Sequence, residues 1–249
     1  AFFDKMVLKA QSLGIDIDFD DVNSAIAQNN YIVTVQDMVK LAIHATGYEE
    51  MQKIWSQHHY STVSENNERS FTVDSYVHSR PYSHYLSDYY FVLGGKTGSV
   101  SANASRPATT CIYVAVEGPD GAIFVGGVSK DAVSTEEDNH FRQLKVLFGI
   151  ATQKYYDRDA DTSELESQLT ADRACVVVLP QNGNILSYGQ YDWFGPDSPY
   201  HLFSRNGTEK IMTASSWKML TVMTALDYVS DPNRKAVVLP EDINASTPS

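Results

Sequence analysis

Apolar residues recur along this chain with two alternating periods, three to four residues and two, which predicts helices interleaved with strands. Phe3, Met6, Val7 and Ala10 fall at helical spacing, so residues 2 to 13 read as a helix stopped by Gly14. Thr34-Val35-Gln36-Asp37 has the form of a capping box with Asp in the Glu position. Behind it, Val35, Met38, Val39, Ala42 and Ile43 make the apolar stripe of a second helix reaching about Ala45. Gln52 to Tyr60 reads as a short helix running into a strand, and Ser70 to Tyr76 alternates.

The middle of the chain reads as a hairpin. Thr109 to Val116 is β-branched and alternating, Gly118-Pro119-Asp120-Gly121 is a turn, and Ala122 to Val128 returns. Ser134-Thr135-Glu136-Glu137 is a helix-start pattern, with Phe141, Leu144, Phe148 and Ala151 on the buried stripe that follows. Residues 157–172 are acidic and poor in apolar side chains, the composition of a linker, with a helical turn at Ser163 to Leu169. A second hairpin is expected from Ala174 to Leu179, through Gln181-Asn182-Gly183-Asn184, to Ile185–Tyr188. Residues 191 to 210 read as a long loop, after which Ser215 opens a helix bearing Trp217, Leu220, Val222, Met223, Ala225 and Leu226.

Composition narrows the function classes. The formal charge is −12 with no cluster of Lys and Arg, which argues against nucleic acid and anionic membranes as partners. No apolar run approaches the roughly 18 residues of a membrane span. The first residues form an amphipathic helix and not a signal peptide, as in a mature or trimmed product. Cys111 and Cys175 sit in predicted strands; they read as two buried thiols, with a disulfide as the alternative.

Two short stretches carry chemistry. Gly94-Gly95-Lys96-Thr97-Gly98-Ser99 places Lys-Thr-Gly on a strand, and Ser215-Ser216-Trp217-Lys218 places Ser-x-x-Lys at a helix start. A serine hydroxyl needs a base within hydrogen-bond reach to act as a nucleophile. Spacing i, i+3 puts Lys218 one turn from Ser215 on the same side, and a desolvated lysine near other cations releases its proton more readily. The bland alternatives are an N-cap serine beside a solvated lysine, and a Gly-rich turn. A P-loop ending at Gly95-Lys96-Thr97 is disfavoured because Tyr90 stands where its first glycine belongs and no helix follows.

With matching flanks, these motifs resemble those of the serine-type D-Ala-D-Ala carboxypeptidases, the low-molecular-mass penicillin-binding proteins. Thr213-Ala214-Ser215-Ser216-Trp217-Lys218-Met219-Leu220-Thr221 is similar to the family's P-A-S-x-T-K-I-M-T, and Gly94 to Gly98 to its G-x-K-T-G. Lys9-Ala10 with Leu13-Gly14, and Thr34 to Met38, are similar to two further family segments. The resemblance implies an α/β (α+β) fold of the beta-lactamase/transpeptidase type, a two-layer domain with helices on both faces of an antiparallel sheet and part of the helical subdomain absent. It implies that Ser215 is the nucleophile and Lys218 the general base. Lys96 and Thr97 would grip the substrate carboxylate, with Gly98 allowing close approach of the ligand. The Ser215 and Ser99 N–H groups would form the oxyanion hole. Expected ligands are peptidoglycan stem peptides and beta-lactams, outside the cytoplasm of a bacterium, with no metal or cofactor.

Two departures from the family pattern stand out. The motif order is reversed: residues 1–156 correspond to the family's C-terminal part and 173–249 to its N-terminal part. The chain reads as a circular permutation in one domain, as the back half of one copy joined to the front half of another, or as a cleaved protein with its pieces exchanged. The family's Ser-x-Asn motif would fall between Ser249 and Ala1. Ser64-Glu65-Asn66, Ser101-Ala102-Asn103 and Ser204-Arg205-Asn206 lie out of context and receive no role. The alternative function is therefore a catalytically incomplete relative, a binding or scaffold module; a beta-lactamase or esterase is a related enzyme reading, though no Glu stands in place to activate water. His58-His59 reads as a solvated pair and not a metal site. Tyr82, Tyr85, Tyr89 and Tyr90 read as packing and cleft-wall residues.

Overall fold

The computed structural model describes residues 2–19, 31–64, 69–79, 81–102, 107–133, 139–181 and 191–231. In chain order the elements are α1 (Phe2–Ser12), β1 (Asp18–Phe19), β2 (Tyr31–Thr34), α2 (Val35–Ala45), α3 (Glu49–Trp55), β3 (His59–Val63) and β4 (Ser70–Asp74). There follow α4 (Tyr76–Ser79), α5 (His84–Ser87), β5 (Phe91–Val100), β6 (Thr109–Glu117), β7 (Ile123–Lys130), α6 (His140–Tyr156) and α7 (Ser163–Gln168). The last are β8 (Arg173–Val178), β9 (His201–Arg205), β10 (Lys210–Met212) and α8 (Lys218–Tyr228).

The centre is a five-stranded antiparallel sheet in the order β5-β6-β7-β8-β9. Strand periodicity sends alternate residues to opposite faces, and both faces are covered. Cys111, Tyr113 and Ala115 of β6 join one apolar cluster with α2 and α8; Ile112, Val114 and Val116 join the other with α6. That is why eight of the nine residues of β6 are buried. Helices on both faces make three layers, not two, so the molecule is α+β with its antiparallel sheet flanked by helices. A glycine leaves room for the Tyr113 ring on the sheet: a Cβ on its cross-strand partner Gly127 would sit 2.1 Å from that ring.

Helix α2 starts where its capping box predicts. Thr34 Oγ1 accepts from the Asp37 N–H at 3.0 Å, and an Asp37 carboxylate oxygen accepts from the Thr34 N–H at 3.1 Å. At the far end of α8, Asp227 lies 2.9 Å from Lys9 Nζ of α1 and accepts from the Tyr48 hydroxyl at 2.7 Å. This clamp fixes the register of α8 against the helix that opens the chain.

The expected loop at 191 to 210 is corrected. Residues 201–205 form β9, paired with β8, and 210–212 form β10, paired with β2. Both are short and carry polar residues (His201, Ser204, Arg205; Lys210), because an edge position leaves one side of the strand outside the core. Helix α3 begins at Glu49, ahead of the expected Gln52, and the helix expected after Ser134 starts at His140, capped by Asn139. The pattern at 134–137 and the strand at 185–188 lie outside the described residues, as do parts of the first two Ser-x-Asn triplets.

Between α6 and β8, residues 157–172 carry α7 and run against the core. Leu169 and Ala171 are buried, Gln143 accepts from the Thr170 and Ala171 N–H groups, and the Arg205 guanidinium donates to the Glu166 and Leu169 carbonyls. Cys111 and Cys175 are both buried free thiols. Among the described residues no helix is long and apolar enough to cross a membrane.

Candidate functional site

Strand β5 is an edge of the central sheet, and the one-turn 3-10 helix Ala214–Trp217 lies against it before α8 begins at Lys218. The Ser-x-x-Lys stretch therefore spans a 3-10 turn and the first residue of an α-helix, and does not lie wholly inside one helix. In a 3-10 turn, residues i and i+3 eclipse, which keeps Ser215 and Lys218 on the same side.

The contact between strand and turn is close. A Cβ placed on Gly98 would lie 2.7 Å from the Thr213 carbonyl oxygen, 2.9 Å from Cys111 Sγ and 3.1 Å from Ala214 Cβ. Gly98 thus admits the serine-bearing turn itself. Cys111, paired across from Gly98 on β6, donates its thiol to the Thr213 carbonyl at 3.6 Å and lies 3.6 Å from Ser216 Oγ. Ser216 also bonds the Thr213 carbonyl, and Trp217 is completely buried. Burial pushes the Cys111 thiol up to about 11, so it stays a neutral donor. Held this way, Ala214 adopts φ 48°, left-handed backbone that a residue with a Cβ rarely occupies.

Gly94 and Gly95 answer to packing as well. Gly94 has φ 147°, and a Cβ there would meet Trp55 Cβ at 2.2 Å; one on Gly95 would meet the Tyr113 carbonyl at 2.2 Å. Trp55 of α3 is thereby seated against the strand just before Lys96.

A cleft of about 820 Å³ opens along this edge. Its floor is Gly95, Lys96 and Thr97 of β5 with Lys218, Met219 and Val222 of α8. Its outer wall comes from α3, the β3–β4 hairpin and α4. Lys96, Thr97 and Lys218 are thus brought together. Ser215 is half-buried, does not line the cleft, and makes no hydrogen bond to Lys218 or Lys96 among the described residues. Ser99 is exposed further along β5.

Burial, and next the charge of Lys218, hold Lys96 below the ordinary lysine value, while Cys111 acts weakly the other way. Desolvation was expected at Lys218, but Lys218 is exposed and Lys96 is the half-buried cation. Lys96 Nζ donates to the Thr97 carbonyl at 2.6 Å. Neither lysine makes an ion pair among the described residues.

The remaining candidates separate from the site. Ser204-Arg205-Asn206 lies at the opposite edge of the sheet, where Asn206 donates to the Asp172 carbonyl. Tyr82, Tyr85 and Tyr90 pack on the α6 side and none lines the cleft, so their cleft-wall reading is corrected to packing. His58 stacks on His78 at 4.4 Å, His59 pairs with Asp74, and no metal-binding cluster occurs among the described residues. Sequence reading missed Ala214, whose residue type gives no hint of left-handed backbone, and the cleft's outer wall, whose signal was the alternation from Ser70 to Tyr76.

Comparison with protein-family models, curated proteins and solved structures finds no match.

Proposed function

We propose that this chain is a serine acyl-transfer domain of the penicillin-binding type, with D-Ala-D-Ala carboxypeptidase activity and the beta-lactamase/transpeptidase-like arrangement in permuted order. The reading rests on one observation above all: the Lys-Thr-Gly strand and the Ser-x-x-Lys turn come from opposite parts of the chain and meet at Gly98 and Thr213–Ala214. The left-handed backbone of Ala214 adds to it, since strain of this kind concentrates at functional sites.

In the proposed reaction, the substrate carboxylate binds at Lys96 and Thr97. Ser215 Oγ attacks the carbonyl carbon between two D-alanines while its proton passes to Lys218 Nζ. The C–N bond breaks, and the departing amine takes that proton from the Lys218 ammonium. Water then cleaves the Ser215 ester by the same proton relay in reverse. Lys96 stays a carboxylate grip throughout. A ligand filling the cleft would strip water from Lys218 and bring it closer to the desolvated state that a base requires. Such substrates place the protein outside the cytoplasm of a bacterium.

A second reading, a catalytically incomplete module, is favoured by one observation: Ser215 has no hydrogen bond to either lysine and does not line the cleft. A fluorescent penicillin separates the two. Labelling of the intact chain that Ser215→Ala abolishes supports the enzyme, and an unlabelled intact chain supports the module.

A further inference from the structure

The hairpin of β3 and β4 is two-faced. On one face His59 Nδ1 lies 2.7 Å from Asp74 Oδ1, and Ser61 Oγ lies 2.8 Å from His59 Nε2 and 3.1 Å from Thr72 Oγ1. On the other face, Tyr60 stands across from Val73 and Thr62 across from Phe71. Tyr60 and Val73 are 53% and 62% exposed, yet both line the cleft. Ile54 of α3 and Tyr76 of α4, also exposed, continue the same wall. An isolated two-stranded hairpin is marginal in water, and leaving its apolar face open over a cleft forgoes burial that an occupant would restore.

The charges say what kind of occupant fits. Lys53 at the rim is paired with Glu49 at 2.8 Å and Glu50 at 3.0 Å. Lys96 and Lys218 on the floor make no ion pair among the described residues. The cleft therefore offers Lys96 and Lys218 on its floor and a largely apolar wall opposite, whose two carboxylates, Glu50 and Asp74, are paired with Lys53 and His59, in a volume toward the upper end of the roughly 300–1,000 Å³ of small-molecule pockets.

We propose that the wall formed by Ile54, Tyr60, Val73 and Tyr76 selects a ligand whose carboxylate, held at Lys96 and Thr97, is joined to a bulky apolar or aromatic acyl group. This rests on the reading of the same cleft as the acyl-donor site. It makes the wall the specificity-determining surface for the acyl side of the substrate, and it disfavours donors that present only polar groups there.

The test is calorimetric binding of N-acetyl-, N-phenylacetyl- and N-naphthoyl-D-alanyl-D-alanine to the Ser215→Ala chain, which cannot acylate. Affinity should rise through the series by roughly tenfold overall. Tyr60→Ser and Val73→Ser should flatten the series. Phe71→Ser, on the same hairpin face but outside the cleft, should leave it intact and controls for damage to the hairpin. Lys96→Ala should weaken all three ligands alike. Equal affinities, no binding by any ligand, or a series unmoved by Tyr60→Ser would overturn the proposal. So would a dimer in solution that Tyr60→Ser dissociates, since the wall would then cover a second copy. Penicillin labelling of the intact chain is scored separately: its failure with the affinity series preserved removes the acyl-transfer chemistry and leaves the apolar wall standing.

Discussion

Gly98 of β5 lies so close to Thr213 that a single added methyl group would come within 2.7 Å of the Thr213 carbonyl oxygen. The other atoms it would meet, Cys111 Sγ and Ala214 Cβ, are equally confined. Gly98→Ala must therefore move the serine-bearing turn away from the strand. Overpacking of this kind costs about 1–3 kcal/mol. The variant is expected to melt lower and to lose penicillin labelling disproportionately to its loss of folded protein. Wild-type labelling in a folded Gly98→Ala chain would show that the contact does not position Ser215.

Ala214 pays for its left-handed backbone. Ala214→Gly removes the Cβ that makes φ 48° unfavourable, so calorimetry should find the variant more stable by up to about 1 kcal/mol. If the strain holds Ser215 in position, labelling should slow at the same time. A variant less stable than the parent would mean that the Ala214 methyl packs more favourably than its conformation is strained.

Acid should begin to weaken the fold above the ordinary carboxylate range. Burial holds His44 and His140 at about 4, below their ordinary 6.5, and at His44 the charge of Lys9 adds to it. Between those values the unfolded chain binds more protons than the folded one. Stability is therefore full above about pH 6.5 and is lost as the pH falls toward 4. Each pK unit corresponds to about 1.4 kcal/mol, so the two histidines together withdraw several kcal/mol. Urea midpoints should fall steeply from pH 7 to pH 4.5, and His140→Gln should flatten part of that slope. A flat profile would contradict the buried, neutral state of both rings.

Local signals made much of the fold legible. The Thr34–Asp37 box, the apolar stripe of α2 and the turn at Gly118–Gly121 are satisfied within a few residues of chain, and each appears where its pattern predicts. Strand β9 was illegible because His201 to Arg205 is mostly polar and owes its extended form to pairing with β8, which a local pattern does not encode. The cleft-floor residues Lys96, Thr97 and Lys218 were found through their motifs. Which lysine is desolvated was not, because desolvation depends on what packs around each ammonium group, and that is set by the fold and not by the local pattern.

If the meeting of these two motifs makes Ser215 a nucleophile, benzylpenicillin must acylate it. Incubation with benzylpenicillin, then intact mass and peptide mapping, tests it most directly. The expected product is one added penicilloyl group on the peptide carrying Ser215, absent from Ser215→Ala and strongly reduced in Lys218→Ala. An intact chain that stays unmodified, or an adduct that maps to any other residue, would contradict it.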